Sequence, residues 1–205
     1  MSTSLDVAGN LVIIYCGIPV FVAGVLGGLL NTIVFLSLQT FRQNSCAFYL
    51  TVMSIVNIDQ LFFRLFSRIL FVLSGIDGTE TSLFYCKFRP YIFQTCIGTS
   101  MTCLCLATID QYCATCFRPR FQQLCNIKLA QRLTIACVII WALHGIPYLV
   151  FYNHVVSPMT DKLTFISTSS IFADYRTYVI VLVLIGYLPV AIAALFGLMA
   201  YLNVQ

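Results

Sequence analysis

The chain has 205 residues, of which 60% are hydrophobic and 9% charged, with a formal net charge of +4. A soluble globular domain carries roughly a quarter charged residues, so this chain has too few polar groups to cover itself in water. A freely soluble domain is excluded, and a lipid-facing exterior follows.

Taken in chain order, residues 1–10 hold Asp6 and no basic residue. The apolar run behind them is about twice as long as a signal-peptide core, so the segment reads as an extracellular amino terminus, not a leader. Leu11 to Leu38 is uncharged for 28 residues. Cys46 to Ser74 is apolar but carries Asp59, Arg64 and Arg68, and it counts as a span because the runs on either side require a crossing there. Uncharged runs of 20, 20 and 25 residues follow at Pro90–Ile109, Leu133–Tyr152 and Tyr178–Leu202. Each suffices to cross a hydrocarbon core of about 30 Å as a helix. The expected architecture is an all-α membrane protein, a bundle of five transmembrane helices at about 11–38, 46–74, 84–112, 130–152 and 177–203. The connection from Asn153 to about Thr177 is expected to be a polar loop too short for a domain.

Basic residues set the orientation. Arg42, Arg118, Arg120, Lys128 and Arg132 fall on one side, with the cluster after Tyr112 densest. Lys87, Arg89, Lys162 and Arg176 fall on the other, offset by Asp6, Asp77, Glu80, Asp161 and Asp174. The amino terminus is therefore expected outside, in a multi-pass protein of the plasma membrane. No basic stripe interleaved with aromatics is present, which argues against a nucleic-acid partner; membrane lipid is the expected surrounding.

Polar residues inside spans tend to be functional or to glue helices together. Asn31, Asn57 and Ser100 are the polar features in the first three spans, and Trp141 lies mid-way along the fourth. Arg64 and Arg68, four apart on one helical face, with Lys87 and Arg89 nearby, form a candidate cationic mouth for an anionic ligand or a peptide carboxylate; snorkelling to headgroups is the competing role. Gly24 and Gly28 form a small-xxx-small pair that suits either dimerisation or close packing on a neighbouring helix. "CATC", Cys113 to Cys116, has the spacing of half a zinc site, but neither His144 nor His154 lies near it in sequence, and no metal or other cofactor is expected. Juxtamembrane palmitoylation is a secondary reading of these thiols. No phosphate loop, zinc motif or nucleophile–base pair is legible, so an enzyme is not expected. Nor do paired broken helices mark a transporter.

"NTIV" at Asn31–Val34, Cys86 opening the third span, "IDQY" with Gln111 25 positions after Cys86, Trp141, and Pro189 in the fifth span come in a specific order. That set resembles the rhodopsin-like (class A) G-protein-coupled receptors. The resemblance implies helices 1–5 of the seven-helix receptor fold, with Asp110, Gln111 and Tyr112 facing a heterotrimeric G protein, Asn31, Asn57, Ser100 and Trp141 in an interhelical polar core, and Pro189 kinking its helix. It also implies that Arg64, Arg68 and Phe93 line a ligand crevice. Phe93 stands where amine receptors carry Asp, which disfavours an amine and leaves a peptide or anionic ligand.

The departures shape the expected function. Asn57 replaces the family's sodium-binding Asp, and an amide binds a cation far more weakly than a carboxylate. No cysteine follows Cys137, so the family's disulfide partner for Cys86 is missing and an unpaired extracellular thiol is expected. Gln111 replaces the family's Arg and lacks its charge and reach, so Asp110 is expected to turn to water or to Arg118, Arg120 or Lys128. The sequence also ends after the fifth span, so a truncated receptor without the sixth and seventh helices is expected. Two functions follow: a receptor-like protein with impaired coupling, or a non-signalling membrane protein that binds and modulates a related receptor.

Overall fold

The computed structural model describes residues 2–37, 43–74, 82–116, 118–156 and 163–204. Arg42, Asp77, Glu80, Asp161 and Lys162, used above for orientation, lie outside the described residues. Among the described residues, five helices are long and apolar enough to cross a membrane: α1 (Val7–Ser37), α2 (Ser45–Ser74), α3 (Leu83–Thr115), α4 (Ile127–Phe151) and α5 (Ser170–Val204). The protein is a predominantly helical, multi-pass membrane bundle.

Side-chain caps fix where four of these helices begin. Asn44 accepts from the backbone N–H groups of Cys46 (2.9 Å) and Ala47 (3.4 Å) ahead of α2. Ser82 accepts from Tyr85, Asn126 from Lys128 and Ser169 from Phe172 in the same way. Each satisfies a donor that the first helical turn leaves open. Ser169 explains why α5 starts several residues before the expected Thr177. A single helical turn, Pro119–Gln122, lies between α3 and α4.

Among the described residues, three stretches are wound wider, as π-helix: Ile13–Gly17 in α1, Leu61–Phe66 in α2 and Tyr175–Tyr187 in α5. Two have a legible cause. Proline lacks an N–H and its ring pushes on the carbonyl four residues back. For Pro19 and Pro189 that carbonyl belongs to Tyr15 and Ile185, each inside the widened stretch just upstream. The expected disturbance at Pro189 thus takes the form of a long, loosened half-helix. No proline lies in or just after the α2 stretch.

The expected polar loop after α4 is instead partly strand. Tyr152–Val156 (β1) pairs antiparallel with Leu163–Ser167 (β2), Tyr152 opposite Ser167 and Val156 opposite Leu163. The β-branched residues Val155, Val156, Thr164 and Ile166 favour such a ladder, a local signal that the loop reading passed over.

Helix α3 is the centre of the bundle. Of its most apolar 18 residues 44% are buried, against 6% for α1 and 11% for α5, so α3 is the helix the others pack around. One core cluster, Tyr49, Cys103, Ala107 and Ala130, joins α2, α3 and α4. A second, Tyr148, Tyr152, Phe172 and Ile180, closes the end of α4 and α5 where the strands begin.

The Gly24/Gly28 pair faces its neighbour. A Cβ on Gly24 would lie 2.7 Å from Leu61 Cδ1, and one on Gly28 2.7 Å from Ile58 Cγ1, whereas one on Gly27 would meet nothing within 4 Å. Close packing of α1 on α2 therefore uses this stripe, and Gly27 lies off it. Gly28→Val is expected to lower the melting temperature in detergent, and Gly27→Ala to leave it unchanged or raise it. Equal effects of the two substitutions would show that the stripe is not a packing face.

Candidate functional site

About three turns into α3, the two expected arginines share a wall with Phe93. Two cavities flank them, of about 750 Å³ and about 630 Å³, and Arg64, Arg68 and Phe93 line both. Volumes of this size suit a small ligand. The Arg64 guanidinium carbon stands 4.5 Å from the centroid of the Phe93 ring, and that of Arg68 stands 5.0 Å from Phe71. Such cation–π contacts hold a guanidinium in an apolar wall without consuming its N–H groups. Among the described residues, no Asp or Glu lines either cavity.

The second cavity adds residues that the sequence reading passed over or counted only as loop charge: Gln94, Tyr148 and Arg176, with Arg89. Arg89 Nε donates to the Phe63 carbonyl at 2.9 Å, and Arg176 donates to the Tyr152 hydroxyl. Burial pushes the Tyr152 phenol above its ordinary pKa, with the Arg176 guanidinium pulling the other way. The Tyr148 hydroxyl donates to Gln94 Oε1 at 3.2 Å. Lys87, grouped with the mouth on sequence grounds, lines neither cavity. Gln94 carried no signal in sequence, because a single amide in a helix matches no motif; a helical projection from Arg89 through Phe93 was the available hint.

The expected polar core divides. Ser100 Oγ donates to Asn57 Oδ1 at 2.7 Å and Gln60 Nε2 to the same oxygen at 3.2 Å, so these three join α2 to α3. The amide oxygen is thus engaged by donors. Asn31 lines the first cavity beside Asn57. Trp141 belongs elsewhere: its indole Nε1 donates to Thr102 Oγ1 at 2.9 Å, across the α3–α4 interface. Cys86 is 0% exposed at the start of α3. The sulfur is therefore enclosed within the protein and not presented at its surface.

At the opposite end of α3 the structure corrects the expected partner of Asp110. Ser45 Oγ lies 2.7 Å from both carboxylate oxygens and donates to them. Ser45 is the first residue of α2 and 4% exposed, so the carboxylate meets the positive end of a helix as well as a hydroxyl. Among the described residues it makes no ion pair with Arg118, Arg120 or Lys128. Gln111 is exposed and its Nε2 reaches Cys46 Sγ at 3.5 Å, on the same turn of α2. The Tyr112 ring packs edge-on against Phe196 of α5, 5.5 Å between centroids. The Asp110 carbonyl also accepts from Cys125 Sγ at 3.4 Å.

Cys113, Cys116 and Cys125 do not assemble a metal centre: among the described residues no group of three or more metal-ligating side chains is found. Burial, followed by the nearby Asp110 charge, pushes the Cys125 thiol up to about 12. The thiolate is the reactive form, so Cys125 is expected to alkylate very slowly at neutral pH in the folded chain and readily after unfolding. Peptide mapping after iodoacetamide treatment checks this; fast labelling of folded protein would contradict the burial. Compared with known protein families and with curated proteins, the sequence matches none.

Proposed function

We propose that the chain is a receptor-like membrane protein of the rhodopsin-like G-protein-coupled class, amino terminus outside the plasma membrane, that holds an anionic or peptide-carboxylate ligand and couples weakly to a G protein. The observation that carries this reading is the reach of α3. One end supplies Phe93 beside Arg64 and Arg68 at two cavities without acidic lining. The other end supplies Asp110, Gln111 and Tyr112 beside the first turn of α2 and α5. A single central helix therefore connects a cationic crevice to a polar triplet at the far end.

In this reading Gln111 is what weakens coupling. The amide holds one bond to Cys46 and presents no charge, where the family's Arg reaches a G protein. A charge-assisted hydrogen bond contributes about 1.5–3 kcal/mol, so restoring it is expected to raise G-protein nucleotide exchange about tenfold or more. The test reconstitutes the 205-residue chain and its Gln111→Arg form in vesicles with a panel of heterotrimeric G proteins. Equal exchange by the two forms would remove the role given to Gln111. No exchange by either form, across the panel, would remove the receptor reading.

A further inference from the structure

We propose that the cavity of about 630 Å³ between α2, α3, α4 and α5 binds a small amphiphile whose head is an acceptor-only anion, a carboxylate or phosphate, seated on Gln94 and Arg176. This rests on the anion-binding part of the reading above and not on coupling.

The donor count selects the head. Gln94 is 3% exposed and its Nε2 has no hydrogen-bond partner among the described residues, and the same holds for Arg176 Nε. Both residues line this cavity. The acceptor of Gln94 is already engaged, because Oε1 takes the Tyr148 hydroxyl proton at 3.2 Å. What is left over is donors only. A buried donor without a partner is costly, and two in one cavity call for a ligand group that accepts and does not donate. A hydroxyl or amine head fits less well, since its own N–H or O–H would face further donors.

The charge points the same way. Arg64, Arg68, Arg89 and Arg176 line the cavity with no acidic side chain among its lining residues. Arg89 spends Nε on a carbonyl and Arg176 one N–H on a phenol; a phenol that stays protonated leaves the guanidinium charge uncompensated. Positive charge at a cavity of a membrane bundle, with no acidic counter-ion among the described residues that line it, favours an anion.

The rest of the wall selects the body. Phe63, Pro90, Phe93, Ile97, Val181 and Ile185 are apolar. Val181 is 52% exposed on α5, so an apolar chain has a route from the arginines to the lipid-facing surface. A fully soluble polyanion would leave that wall unused.

The test measures binding of decanoate, decyl phosphate and uncharged decanol to the full chain in phosphatidylcholine vesicles, with no G protein present. Both anions are expected to bind at least about tenfold more tightly than decanol. Indistinguishable binding of decanoate and decanol would overturn the proposal without any variant. Gln94→Glu keeps the size and the acceptor for Tyr148 but places a resident carboxylate among the arginines. It is expected to raise the melting temperature and to abolish decanoate binding. Arg176→Gln is expected to weaken that binding about tenfold while the chain still melts cooperatively. Decanoate bound by a folded Gln94→Glu or Arg176→Gln chain as tightly as by the unsubstituted one would also overturn it. Two competitors separate the natural sources: displacement by phosphatidic acid in the vesicle supports a lipid headgroup, and displacement by inorganic phosphate supports a soluble anion. A chain that binds decanoate yet drives no nucleotide exchange loses the receptor reading and keeps this site. A chain that drives exchange but treats decanoate and decanol alike loses this site alone.

Discussion

Gly98→Val is expected to lower the melting temperature of the detergent-solubilised chain by roughly 6–12 °C, the largest effect of a single substitution in the bundle. A Cβ on Gly98 would lie 2.2, 2.4 and 2.5 Å from three atoms of the Trp141 ring system. Those atoms belong to the rigid indole and not to the tip of a flexible chain, so neither alanine nor valine fits without moving the ring. Moving it breaks the bond from Nε1 to Thr102 Oγ1, which stands one turn along α3 on the same face. Overpacking costs about 1–3 kcal/mol and the lost hydrogen bond about 0.5–1.5 kcal/mol. For a chain of this size about 3 kcal/mol corresponds to the melting shift given, at roughly 2–4 °C per kcal/mol. Trp141→Leu in the Gly98→Val background should recover part of the loss, because it vacates the contested volume. A melting temperature unchanged by Gly98→Val would show that Trp141 is not seated on this glycine.

Trp141 also shows how far the sequence carries the site. Its position in a span was legible from the apolar run, and so was the whole bundle, because hydrophobic length is set by the bilayer and needs no tertiary information. Its partner was not. The resemblance grouped it with Asn31, Asn57 and Ser100, yet Ser100 and Thr102 are two residues apart on α3 and point about 200° apart. Ser100 faces α2 and Asn57, while Thr102 faces α4 and Trp141. Sequence order cannot tell which neighbour a helical face meets, and that depends on packing. The same limit hid Gln94, which gains meaning only from the cavity that α2 and α5 close over it. Arg64 and Arg68 were legible because charge in an apolar run is conspicuous by itself, whereas Phe93, uncharged, was singled out only through the resemblance. The strand pair after α4 was missed for a different reason: five-residue alternations are weak signals beside spans of twenty or more.

Asp110 gives the second large effect, and it separates two accounts of why an acid sits at the end of α3. If Asp110 were held by basic residues of the following loop, Arg120→Gln and Lys128→Gln would couple to Asp110→Asn in stability. The geometry predicts instead that Ser45→Ala couples to it. Ser45 is 4% exposed and donates to the carboxylate at 2.7 Å. Asn at 110 keeps an acceptor but loses the charge that the first turn of α2 stabilises, at about 0.3–1 kcal/mol, and part of a charge-assisted bond contributing about 1.5–3 kcal/mol. A double-mutant cycle on Ser45→Ala and Asp110→Asn, read by thermal or urea melting in detergent, is therefore expected to give a coupling of about 1–2 kcal/mol. The cycles with Arg120 and Lys128 should give values near the ~0.3 kcal/mol scatter of independent sites. The reverse pattern would return Asp110 to the loop and undo the staple. The expected pattern has a consequence for Gln111. With Asp110 engaged by Ser45, and Gln111 reaching Cys46 at 3.5 Å, α3 is fastened to α2 by neighbours that carry no positive charge. Until a G protein draws it outward, a guanidinium at 111 would pair with that carboxylate and compete with Ser45 for it, so the comparison is made without G protein. The Gln111→Arg chain should accordingly show a Ser45–Asp110 coupling reduced by about half, and an unchanged coupling would mean that the arginine reaches outward from the bundle.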